Sequence, residues 1–172
     1  MSEPRDWTDF SYEADGLILE IAMPAAAIAL DDKMQSIIAS SILQANEVVG
    51  PARGLVTVLI DDDDRVRELN RSWRGIDKST NVLSFSYPET AVGPHRCIGD
   101  IAISYETAAK EAVTESKPFA HHVAHLSVHG FLHLLGYDHE SDSAADEMER
   151  LERNILARVN VPDPYIARDS ES

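Results

Sequence analysis

Three histidines and one glycine place the strongest constraint on this chain. His129, His133 and His139 are spaced four and then six residues apart, and Gly136 lies between the second and third. On a helix, residues four apart share one face, about 6 Å apart along the axis. That is close enough for two imidazoles to share a metal ion. Glycine accepts the left-handed conformation that stops a helix. The stretch therefore predicts a helix ending near Gly136 and a turn that carries His139 back to the same point. Three neutral imidazoles suit one zinc ion per chain and leave a fourth position open to water. An open position belongs to a catalytic site, whereas a structural site closes it with another ligand. Imidazole suits nickel, copper and iron as well, so the spacing does not choose the metal.

The same intervals occur in metzincin peptidases, where a glutamate directly after the first histidine is the general base. Here that position is Gly130, which can neither take nor give a proton. The metal scaffold is present without the peptidase base, which argues for another substrate. Cys97 is the single cysteine. It excludes an intramolecular disulfide, and a packed thiol is a simpler reading of it than a fourth metal ligand.

At 172 residues the chain reads as one domain, long enough to bury a core, and 44% apolar content is ordinary for a globular chain. The most apolar stretch, Gly16 to Leu30, is interrupted by Glu20 and Pro24 and is no membrane span. Residues 1–10 lack the basic-then-apolar order of a secretory signal. Together these point to a cytoplasmic protein with no membrane partner. A net charge of −15 argues against non-specific coating of nucleic acid but leaves room for a local basic groove.

In chain order, residues 1–15 read as a loose polar lead-in. Gly16–Ala22 is a strand, and Asp31-Asp32 can cap a helix running to about Val49. Leu55–Ile60 is the clearest strand. Asp61–Asp64 load acids onto the N-terminus of the next helix, about Arg65 to Ser72, where the dipole favours them. Capping explains this run without a cation. Arg65, Arg67, Arg71, Arg74 and Lys78 form the only distinctly basic stretch. Val82–Tyr87 alternates as a strand, Pro88–Arg96 is a turn-rich loop, and Gly99–Ser104 is a further strand. Ser104 can cap a helix from Tyr105 to about Glu115, and Ser116-Lys117-Pro118 opens the histidine helix. His121 and His125 read as surface residues on it, or as residues supporting the metal ligands from behind. A final helix spans 140–158 with Met148, Leu151, Ile155 and Leu156 inward, and 160–172 is a loose tail. The order of elements suggests a small mixed sheet packed with helices.

Three stretches, in order across residues 56–140, carry a family resemblance. Asn70–Phe85 (NRSWRGIDKSTNVLSF), Ile98–Ile101 and His125–His139 (HLSVHGFLHLLGYDH) resemble the signatures of the YbeY family of bacterial rRNA maturation factors. Ser79 stands where that family often has proline. The resemblance implies an α+β fold, a four-stranded mixed sheet with about five helices and a metal site on a late helix and the turn after it. It implies a metal-dependent, single-strand-specific endoribonuclease acting in maturation of small-subunit rRNA, notably its 3′ end, and in ribosome quality control. Its partners would be single-stranded rRNA and the ribosome or small subunit with associated proteins. By matching position, His129, His133 and His139 are the metal ligands at the catalytic centre, and Arg74 is the functional arginine, suited to a phosphodiester. Asp100 and Asp138 are candidate partners for an imidazole, or simply a strand-end and a turn aspartate. A non-catalytic, metal-stabilised ribosome-assembly factor and, more remotely, a zinc metallopeptidase are the rival readings.

Overall fold

Asp15 and Gly16 both lie at positive φ, 54° and 85°, in the two-residue turn whose twist matches that of a hairpin. They join β1 (Trp7–Ala14) to β2 (Leu17–Pro24), paired antiparallel along their full length. Residues 7–14, expected as a loose lead-in, are therefore an edge strand, and the sheet has five strands, not four. Phe10 and Tyr12 turn their half-buried rings towards the main core, while Ser11 and Glu13 face water. The computed structural model describes residues 6–88 and 96–166. The expected loop at 89–95, the first five residues and the end of the tail from 167 lie outside the described residues.

The sheet order is β1-β2-β3-β5-β4, with β3 at Gly54–Asp61, β4 at Val82–Ser86 and β5 at Cys97–Ser104. The inner pairs β2–β3 and β3–β5 are parallel and the two outer pairs antiparallel, so the sheet is mixed. The α+β architecture follows the expectation, with six helices among the described residues. The additional one is α1 (Ala25–Leu30). Asp31 closes α1 instead of opening the next helix, and its carboxylate accepts from the Lys33 N–H at 2.9 Å. α2 then runs Met34–Val49 without a side-chain cap.

α3 (Asp63–Arg74) is longer than its sequence pattern suggests because both ends are well closed. Asp62 accepts from the Arg65 N–H at 2.9 Å, and Gly75 adopts the left-handed conformation (φ 71°). α4 (Tyr105–Thr114) starts at Ser104, whose Oγ accepts from the Thr107 N–H. α5 (Phe119–Leu134) is packed against α2, α4, β4, β5 and α6 (Asp142–Arg158). Val123, Ala124, Val128, Phe131 and Leu132 of α5 are fully buried in the main core with Ile101 and Ile103 of β5. A smaller cluster, Val66, Leu83 and Ala102 with Leu69 and Phe85, joins α3 to β4 and β5. Ala102 alternates with Ile101 and Ile103, so α3 covers the sheet face opposite α5.

Candidate functional site

α5 is buried on most of its surface, but a half-open stripe carries His125, His129 and His133. The helix ends in a Schellman turn. The Gly136 N–H donates to the His133 carbonyl and the Tyr137 N–H to the Leu132 carbonyl, each at 3.1 Å, with Gly136 at φ 98°. Asp138 Oδ1 accepts from the Glu140 N–H at 3.0 Å and stabilises the next bend. His139 is thereby returned to the helix. Its ring centroid lies 4.8 Å from that of His129 and 4.9 Å from that of His133.

His129, His133 and His139 each present a ring nitrogen within 4.8 Å of the other two. The Nε2 atoms of His129 and His133 are 3.1 Å apart. Two nitrogens on a tetrahedral zinc, at bond lengths of about 2.0–2.1 Å, would be about 3.3 Å apart. The donor set therefore fits a zinc-sized ion. Burial, with the neighbouring His129 and His139 rings, pushes His133 below its ordinary value, towards the neutral form that binds metals.

Arg74, on the last turn of α3, and His129 and His133 line one cleft of about 310 Å³ with Asn81, Val82 and Ser84. An Arg74 Nη2–H donates to the Ser84 carbonyl at 2.9 Å, and its guanidinium lies 5.6 Å from the Phe85 ring centre. The Ser84 hydroxyl donates to the Gly130 carbonyl at 2.9 Å and ties β4 to the histidine helix. Arg74 thus shares the cleft with His129 and His133, and His139 meets those two imidazoles. At Gly130, a Cβ would meet Ile101, Ser84 and Val82 side-chain atoms at 3.0–3.2 Å. The position held by glutamate in the peptidases here presses against the sheet.

Behind the cluster lies a group that the histidine spacing alone could not indicate. Glu152 of α6 is fully buried. Its Oε2 is 2.5 Å from His125 Nε2, its Oε1 is 3.5 Å from His129 Nδ1, and the Tyr165 hydroxyl donates to Oε1 at 2.9 Å. Burial alone would raise this carboxyl, but the hydrogen bonds from His125 and His129 outweigh it and hold it at about 2. Burial and the Glu152 carboxylate push the Tyr165 phenol up, so it stays a donor. His125, Glu152 and His129 form a second set of close metal-ligating atoms among the described residues. A sequence signal for Glu152 existed: it falls four residues after Met148 and three before Ile155, on the inward stripe of the last helix. His122, also unremarked in the sequence, is buried against Glu111 (2.9 Å), which accepts from Asn81 in the cleft at 3.0 Å. Asp100 accepts instead from the Tyr87 hydroxyl, which that bond pushes up to about 12, and Cys97 belongs to neither histidine set.

The fold and site together define an α+β protein with a histidine cluster and an arginine facing one open cleft. The chain belongs to the YbeY family: the family model described as Endoribonuclease YbeY matches residues 21–160. A protein named Endoribonuclease YbeY from Bradyrhizobium sp. is 52% identical over 143 residues, covering 78% of this chain and 84% of its own. One of the same name from Nitrobacter hamburgensis is 45% identical over 168 residues, covering 90% and 88%. The solution structure of TM1509 from Thermotoga maritima shares the fold, with a TM-score of 0.52 at 23% identity over 83% of this chain and 93% of that one. No helix among the described residues is long and apolar enough to cross a membrane.

Proposed function

We propose that this chain is a cytoplasmic, metal-dependent endoribonuclease that cuts single-stranded RNA. Its task is maturation of small-subunit rRNA at the 3′ end and ribosome quality control, on or near the ribosome. The observation that carries the reading is the meeting of three imidazoles at one point, two of them lining an open cleft with Arg74, in a chain whose relatives bear the name of an endoribonuclease. His129, His133 and His139 would hold the metal, zinc or another imidazole-binding divalent ion such as nickel. When bound, zinc supplies Lewis acidity towards a phosphoryl oxygen and a water molecule.

The protein's own side chains do the rest. Arg74 binds the phosphodiester and the extra negative charge that develops on it; a fixed cationic fork suits two oxygens at once. One of its N–H groups is anchored on the Ser84 carbonyl, which leaves further donors for the phosphate. Glu152 holds the His129 ring by its Nδ1 side and so turns Nε2 towards His133. The peptidase alternative loses its base at Gly130.

The test is metal content measured alongside cleavage of single-stranded RNA, on the wild type and on His133→Ala. One metal per chain and cleavage, both lost in the variant, is the expected result. Metal without cleavage, on RNA or on ribosomes, would instead mark a metal-stabilised assembly factor. A folded wild type without metal affinity would refute the reading.

A further inference from the structure

Trp73 is 72% exposed on the last turn of α3. Its ring is positioned by packing at 6.2 Å and 48° against Phe85, the same ring over which the Arg74 guanidinium lies at 5.6 Å. Arg74 in turn lines the cleft with His129 and His133. The exposed indole thus stands one aromatic ring away from the group assigned to the phosphate. Around it lies the only basic stretch of a chain with net charge −15, and Arg71, Arg74 and Lys78 are all exposed there. Arg67 is not part of this supply, because both oxygens of Asp77 engage its guanidinium at 2.8 and 3.2 Å.

Two observations choose the occupant. The local positive charge complements a phosphate backbone and contrasts with the rest of the surface. A flat aromatic face beside an arginine is the arrangement that receives unpaired bases, since every base has a π face and only an unstacked one can offer it. We propose that Trp73 is a stacking platform for an unpaired nucleobase of the RNA strand whose phosphate Arg74 holds. This deepens the endoribonuclease reading and rests on it. It makes Trp73 a residue that selects single strands: a duplex keeps its bases stacked on one another and cannot cover the indole.

The chain has two tryptophans, so a Trp7→Phe background leaves Trp73 as the only indole emitter. The titrant is a short single-stranded oligodeoxyadenylate, which lacks the 2′-hydroxyl and keeps the base face. Saturable quenching is expected with it, and far less with a duplex or an abasic strand of equal length. By anisotropy, Trp73→Ala weakens binding of the same strand about tenfold or more, within the range for loss of one base–aromatic stack. Trp73→Phe, with a smaller ring, retains most of the affinity.

Equal affinity for Trp73→Ala and wild type would overturn the proposal, as would equal quenching by duplex or abasic strands. So would a Trp73→Ala protein that binds the strand normally but no longer binds small-subunit proteins, which would make the indole a protein contact. The two readings fail separately. Base-dependent quenching without RNA cleavage by metal-loaded protein supports the platform and sinks the nuclease. Normal cleavage of single strands by Trp73→Ala, with duplexes still left intact, does the reverse.

Discussion

Asp63, in the four-aspartate run, gathers partners from three other parts of the chain. Its Oδ1 accepts from the hydroxyls of Ser79, Ser104 and Thr107, and Lys110 lies 3.8 Å from Oδ2. Burial alone would raise its carboxyl, but the Ser104 and Thr107 hydrogen bonds, then Lys110 and Ser79, more than offset it and hold the group below its ordinary value of 3.8. A depressed carboxyl contributes stability above the unfolded-state value, and that stability is lost as pH falls through the folded one. Asp63→Asn should therefore lower stability at about pH 7, and the gap to wild type should close below about pH 4. Urea unfolding at both pH values measures this, and a gap that persists in acid would place the effect in packing instead. The sequence suggests helix capping for this run. It could not show which aspartate caps and which one ties α3 to α4, because the Ser104 and Thr107 partners lie some forty residues away and arrive through the fold.

Within single elements the structure follows from local signals, whereas the contacts between distant elements do not. Helix α5, its stop at Gly136 and the return of His139 follow from spacing and backbone preference within eleven residues. The hairpin of β1 and β2 was also local, since Asp15-Gly16 between alternating segments is a strong turn signal, yet the polar composition of residues 7–14 hid it. The support behind the histidines was not local. α6 brings Glu152, and the segment after it brings Tyr165. That segment is fixed by Arg153, which pairs with Asp163 at 3.1 Å and lies over the Tyr165 ring at 5.3 Å. The first part of the expected loose tail is thus a strap closing the rear of the site. Glu152→Gln keeps the volume and loses the charge that orients His129. Zinc affinity, measured by competition with a chromophoric chelator, should fall about 10- to 100-fold in a protein with unchanged circular dichroism. Unchanged affinity would reduce Glu152 to a core carboxylate with no bearing on the metal.

Over the whole molecule, charge and function pull apart. A nuclease that tracks RNA by electrostatics alone would be basic, whereas this chain carries 30 acids against 15 lysines and arginines. Exposed cations are gathered at the end of α3 and in the loop that follows, beside the cleft, as Arg71, Arg74 and Lys78, and on the proposed reading these would meet the RNA. With about three phosphate contacts, the affinity for a single strand should fall with salt at a logarithmic slope of about −2, from roughly −0.7 per contact. Such a shallow slope makes contacts other than charge decide binding, and it makes delivery by a larger partner such as the ribosome useful to an enzyme of net charge −15. Titrations of a non-cleavable strand across a range of salt concentrations give the slope directly. A value near −2 that steepens no further when acidic residues far from the cleft are neutralised fits a small, local footprint. A slope of about −5 or beyond would require phosphate contacts well outside the α3–β4 region, and the strand would then have to run across a surface this acidic chain does not offer.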